Sequence, residues 1–329
     1  MSQSNRRRSA APTSPASPYG LPVIRRAHWG WLVVVYFFLG GLSGLSAVVA
    51  ALASLTRGSA ASETVRAGRY LSLAALIPCP LLLILDLRKP ARFLNMLRVI
   101  KLRSPMSLGV WGLILFSLVS GLGVARQAAS DGFLGAGRLA AVTRRLPEQT
   151  LAIVTIPLGL FLAGYTGVLL AATAVPLWAK RGLLLGPLFL SSALSGSAAA
   201  IAAALAVRRP SHGEVTALAR LERIATLAEA ALLWGWLTRL GATAKPLMSG
   251  GTGRAVRHGA AGAGLALPLV LNATATITPA HWRRSLTLIA SALTLLGGFL
   301  LRYAIVFGGN RSADDPAAAF ALTRAEPRR

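Results

Sequence analysis

The chain has 329 residues, of which 54% are hydrophobic and 14% charged, with a mean hydropathy of +0.59. That balance excludes an ordinary soluble domain and describes an integral membrane protein that crosses the bilayer several times. Its net charge of +25 comes from cations that lie in loops beside apolar runs; anionic lipid headgroups and docked proteins are therefore the expected partners, and nucleic acid is not.

In chain order, residues 1–26 are rich in Ser, Pro, Ala and Arg and cannot bury apolar surface, which predicts a disordered basic tail. Arg6, Arg7 and Arg8 hint at a twin-arginine signal, but no short apolar region and small-residue cleavage site follow. Uncharged runs then cover 29–55, 104–125, 149–179, 182–207 and 259–280. At about 1.5 Å per residue, each is long enough for the roughly 30 Å hydrocarbon core. Three further runs are interrupted by charge: 66–87 ending at Asp86, 214–240 containing Glu222 and Glu229, and 285–309 containing Arg302. The reading is an all-α polytopic protein with about eight transmembrane helices over 27–310, followed by a polar tail over 311–329.

Lys and Arg on the N-terminal side of the membrane number 21, against 13 on the other side. By the positive-inside rule, both termini then lie in the cytoplasm. Cys79, flanked by Pro78 and Pro80, is the only cysteine, so this chain alone builds no iron–sulfur cluster, zinc site or disulfide. It reads as a small packing residue beside a helix kink. The histidines, His28, His212, His258 and His281, all fall near span ends. That placement does not suit a b-type haem, whose iron needs two axial ligands facing each other within the bundle.

Several local motifs are specific. The first span carries Phe37-Phe38-Leu39-Gly40-Gly41-Leu42-Ser43-Gly44, in which Gly40 and Gly44 share a helix face and invite close packing. The second closes on Asp86-Leu87-Arg88-Lys89-Pro90-Ala91-Arg92-Phe93, where proline ends the helix near several cations. The third opens on Ser104-Pro105-Met106-Ser107-Leu108-Gly109-Val110-Trp111, a capped start with Pro at the first helical position. The fourth holds Ala163-Gly164-Tyr165-Thr166-Gly167-Val168-Leu169-Leu170 and closes at Pro176-Leu177-Trp178, and the last holds Leu300-Leu301-Arg302-Tyr303 through Asn310.

In this order the segments resemble the NrfD-like family, the membrane subunits of polysulfide reductase and related respiratory complexes. The resemblance covers about residues 28–310 and departs from the common pattern at Arg88-Lys89 and Leu108. It implies two four-helix bundles without metals of their own that bind a quinone or quinol, menaquinone or ubiquinone, near one membrane face. It also implies an iron–sulfur, ferredoxin-like partner docked there and a catalytic subunit beyond it, of which a molybdopterin enzyme is one type. The protein would then be non-catalytic alone, a multi-pass subunit of the cell's inner or plasma membrane that exchanges electrons with the quinone pool. In the family the quinol face is periplasmic, which would place the termini outside, against the charge count. A basic face that attracts an acidic partner reconciles the two, and both orientations stay open.

Because spans alternate in direction, His28, Asp86, Arg92, Ser104 and Arg302 lie toward one face. Quinol oxidation needs proton acceptors, a hydrogen-bond partner for each ring oxygen, and apolar walls. The quinone-binding candidates are accordingly His28, Asp86, Ser104, Arg92 and, by family position, Tyr165. Glu222 and Glu229 are seven residues apart and so share one helix face. Together with Arg302 they form a proton route or an intramembrane ion pair, with Arg302 meeting Asp86 or Glu229. Trp178, Trp234 and Trp236 read as an interfacial aromatic belt. Two other readings compete: a secondary transporter, although no inverted repeat relates the two halves, and a purely structural membrane anchor.

Overall fold

A computed structural model describes residues 27–58, 62–87, 98, 100–101, 103–208 and 212–315. The 1–26 tail, Arg92 with most of its loop, and residues from 316 onward lie outside the described residues. Among the described residues there are helices and connecting turns and no strand.

The helices, in chain order, are α1 (Trp31–Arg57), α2 (Ser62–Leu76), α3 (Pro78–Asp86), α4 (Pro105–Ser130), α5 (Arg138–Arg144), α6 (Glu148–Ala171), α7 (Leu185–Ala206), α8 (His212–Leu240), α9 (Leu267–Ile277) and α10 (Ala280–Ala313). A π-helical segment, Ala255–Ala266, runs directly into α9. Helices α2 and α3 are one rod bent at Pro78 and Pro80, whose missing N–H groups interrupt the backbone ladder. Cys79 is buried at that bend and gives its S–H to the Ala75 carbonyl at 3.2 Å, as a packing residue would. Six rods are long and apolar enough to cross a bilayer: α1, the α2–α3 rod, α4, α6, Gly182–Ala206 and His281–Ala313. The protein is thus a multi-pass, all-α membrane protein.

Helices α1, α2–α3, α4 and α6 pack as one group, and α7, α8, the rod ending in α9, and α10 as another; α1 and α6 meet α7 along the seam. Small residues set how closely the rods approach. A Cβ on Gly44 would sit 2.6 Å from the Gly159 carbonyl, and a Cβ on Gly159 would sit 2.6 Å from that of Gly44, so α1 and α6 touch backbone to backbone there. Gly40 does not share this contact. A Cβ there would meet only the Tyr36 ring, at 3.7 Å, and it is Gly41 that faces the second group.

Two tryptophans read as a lipid-facing belt are core residues instead. The run through 179 breaks after α6, and a separate turn, Pro176–Ala179, carries Trp178 into the interior. There its indole N–H donates to the Ile305 carbonyl at 2.8 Å and its ring stacks on Trp29. Trp236 is likewise fully buried, whereas Trp234 is exposed, as the belt reading expects. The physical reason is room: a Cβ on Gly309 would lie 2.0 Å from the Trp178 ring, so α10 is scooped out to admit it.

Gly44→Ala and Gly309→Ala should each cost about 1–3 kcal/mol by overpacking. Gly121→Ala, at a helical position with no heavy atom within 4 Å of the new Cβ, should be neutral or stabilising. Thermal unfolding in detergent, compared across the three variants, checks this ordering.

Candidate functional site

At the face where α1 starts, the structure brings together segments far apart in sequence. Asn310, near the end of α10, donates its side-chain amide to the Trp29 carbonyl at 2.9 Å. Trp29 stacks on Trp178 with ring centroids 5.3 Å apart, and Trp31 stacks on Tyr303 at 4.9 Å. His28, exposed just ahead of α1, is an electrostatic neighbour of Asp86 at the end of α3. Ser104 caps α4, accepting the Ser107 N–H at 3.4 Å. Tyr165 leans from α6 onto the same helix start: its hydroxyl donates to the Pro105 carbonyl and accepts from the Gly109 backbone. A Cβ on Gly109 would fall 2.5 Å from the Tyr165 ring, so glycine is what allows the phenol to reach α4. Arg92 lies outside the described residues.

Two polar atoms that sequence reasoning did not single out belong to these segments. Asn310 Oδ1 and Trp111 Nε1 are both buried with no hydrogen-bond partner among the described residues. Buried polar atoms are rarely left unpaired, so an acceptor at the Trp29 contact and a donor two turns into α4 call for an explanation. Their only advance sign was their presence in the segments Ser104–Trp111 and Leu300–Asn310. Among the described residues, no three His, Cys, Asp or Glu side chains group as a metal site.

Deeper in the membrane, Arg302 is fully buried. Its Nε donates to the Phe37 carbonyl at 3.2 Å and its Nη2 to the Phe189 carbonyl at 3.2 Å. Nη1 donates to the Gly298 carbonyl at 2.8 Å and to Ser192 Oγ at 3.0 Å. The guanidinium also lies 5.1 Å from the centroid of the Phe189 ring. Glu229 is the facing carboxyl: it is hydrogen-bonded to the same Ser192 and accepts from Ser195 Oγ at 2.8 Å. Ser192 therefore stands between Arg302 and Glu229, and it is Glu229, not Asp86, that Arg302 faces. Glu222, two turns away on α8, accepts from Thr294 at 3.2 Å and is also bonded to Asn272.

The opposite face carries an ionic lattice that the sequence did not reveal. Arg69, buried in α2, reaches Glu148 at 2.5 Å and Gln127 at 3.0 Å; Arg126 meets the other Glu148 oxygen at 2.6 Å. Asp131 takes Arg66 at 2.9 Å and the Tyr70 hydroxyl at 2.7 Å. These charges sit at span ends, where they read as ordinary loop residues.

Comparison with known proteins agrees with this architecture. Residues 23–312 match the family model described as polysulphide reductase, NrfD. The protein is 32% identical over 303 residues to the C subunit of polysulfide reductase from Wolinella succinogenes, covering 85% of this sequence and 94% of that protein. It is 28% identical over 322 residues to protein NrfD of Escherichia coli K12, with the same two shares covered. This multi-pass membrane chain therefore belongs to the polysulphide reductase NrfD family.

Proposed function

We propose that the protein is the quinone- and quinol-binding membrane subunit of a respiratory oxidoreductase complex. In this reading it has eight crossings in two four-helix halves, and the quinol is held where α1 begins, α3 ends and α4 begins. The observation that carries the proposal is the buried Asn310 Oδ1, without a partner among the described residues, beside the Trp29 carbonyl at the face where His28 is an electrostatic neighbour of Asp86. Membership of the NrfD family supports it, as does a relative named as one lettered component of a reductase. The partners we propose are an iron–sulfur, ferredoxin-like subunit on this face and a catalytic subunit of the molybdopterin type beyond it.

The groups present fit such a ligand. Asn310 Oδ1 offers an acceptor and Trp111 Nε1 a donor, the two hydrogen-bond types that a ring hydroxyl and a ring carbonyl need. A bound quinol supplies two electrons and two protons. The electrons would leave to the iron–sulfur partner, and an Asp86 carboxylate oxygen would take the two protons one after the other, the exposed His28 imidazole passing each to the aqueous face; the reverse order would serve quinone reduction. Tyr165 keeps one lone pair for a ring oxygen after its bonds to Pro105 and Gly109, and those bonds fix the α4 wall. Glu229 balances Arg302, while the hydrogen-bond partners of Glu222 are neutral. Glu222 can exchange a proton without stripping a buried cation of its counter-ion, so we assign it the proton-route role and Glu229 the ion pair.

Three outcomes test this. Asp86→Asn should lower quinol-coupled kcat by about a hundredfold or more, and wild-type turnover would remove Asp86 from proton transfer. Tyr165→Phe should raise the apparent quinol KM in a turnover assay and weaken the quenching of tryptophan fluorescence by a menaquinol analogue; an unchanged KM would leave the phenol with its α4 bonds alone. Glu229→Gln should lower the thermal midpoint more than Glu222→Gln, since breaking a buried pair costs about 3–5 kcal/mol. Glu222→Gln should slow turnover more, and the opposite pattern would exchange the two roles.

A further inference from the structure

A groove opens along the seam between the two helix groups, far from the face that holds His28. It has a volume of about 410 Å³ and is walled by apolar side chains of α1, α6, α7 and α8, among them Val49, Ile156, Leu190 and Leu218. Leu52 and Leu160 at its rim are exposed, so the groove faces the acyl chains of the bilayer. Because α1 is 27 residues long, about 40 Å, Arg57 at its C-terminal end lies at the membrane surface opposite His28.

The mouth of the groove is polar and mostly cationic. Arg57 lines the groove and also an adjoining cavity of about 570 Å³, whose wall includes Arg220 and the first turns of α8. Both arginines are exposed; one nitrogen of Arg57 donates to the Gly213 carbonyl at 3.0 Å. The one carboxylate in the lining, Glu214, is buried and turned toward α2, where it accepts from the Thr64 N–H at 2.9 Å and the Thr64 hydroxyl at 3.0 Å. The N-terminal end of the 29-residue α8 adds the positive end of a helix dipole. An apolar trough inside the bilayer, ending in two cations at its surface, matches an amphiphile with an acyl chain and an anionic headgroup.

We propose that this groove is a binding site for one anionic phospholipid, its acyl chain between the two helix groups and its phosphate between Arg57 and Arg220. A quinone tail would fit the trough, but its ring offers the two arginines only neutral carbonyl acceptors and no charge to match theirs. A bound lipid would fill the seam where α1 and α6 of one group meet α7 and α8 of the other. The site is thus separate from the proposed quinol face and does not depend on it.

Native mass spectrometry of the full-length protein in detergent tests this, with phosphatidylglycerol, phosphatidylcholine or a menaquinone added in turn. The wild type should retain one phosphatidylglycerol in preference to the other two. Arg57→Ala combined with Arg220→Ala should weaken that binding roughly thirty-fold, the sum expected for two surface arginines, while the paired Lys variants should keep most of it. Ala217→Trp, which fills the trough without changing charge, should abolish retention, and it reads the same site if the alanine pair fails to fold. Equal retention of phosphatidylcholine, preference for menaquinone, or unchanged binding in both the alanine and tryptophan variants would overturn the proposal.

Discussion

The fold depends on how one buried guanidinium is satisfied. An unpaired arginine inside a bilayer costs several kcal/mol at the least, and Arg302 answers that cost with four hydrogen bonds to three helices. Its carbonyl partners come from α1 in one helix group and from α7 and α10 in the other, and the Glu229 carboxyl of α8 is linked to it through Ser192. The two halves cannot slide or separate without leaving that charge exposed to hydrocarbon. Glycine makes the pocket possible: a Cβ on Gly41 would lie 3.3 Å from one guanidinium nitrogen, and one on Gly298 would lie 3.5 Å from another.

With the halves pinned, the end of α10 is fixed against the start of α1. Arg302 and Asn310 are eight residues apart on one helix, about 12 Å along its axis, and Asn310 reaches the Trp29 carbonyl. The Trp29–Trp178 stack and the Trp178 bond to Ile305 close the same corner. The segments around His28 are therefore tied to the core below them, which is the support the proposed site needs.

Much of this was legible in the sequence, and what was not has a physical reason. The apolar runs gave the helices directly, because the bilayer permits few alternatives. Arg302, Glu222 and Glu229 stood out because charge in a span is costly. Their partners did not, since backbone carbonyls and scattered serines such as Ser192 and Ser195 carry no pattern. Trp178 and Trp236 were misread because tryptophan near a span end suits an interface and a core equally well, and only Gly309, on a distant helix, decides between them for Trp178. The Arg69–Glu148–Arg126 lattice was hidden for the same reason: each charge alone is ordinary, and only the meeting of α2, α4 and α6 makes a network.

The two membrane faces are built on different physics, and the difference bears on function. Opposite His28, ion pairs tie the helix ends together: Glu63 with Arg208, Asp131 with Arg66, and Glu148 with Arg69 and Arg126. Such a lattice holds its helices in register through charge-assisted bonds. At the His28 face the described contacts are stacked aromatics and single hydrogen bonds, with Asn310 Oδ1 and Trp111 Nε1 unpaired. An ion lattice must break charge-assisted bonds to admit anything, whereas Asn310 Oδ1 and Trp111 Nε1 break no described bond when they gain a partner. The proposed quinol site therefore lies at the face with polar atoms to spare, and the ionic face is suited to keeping the bundle closed.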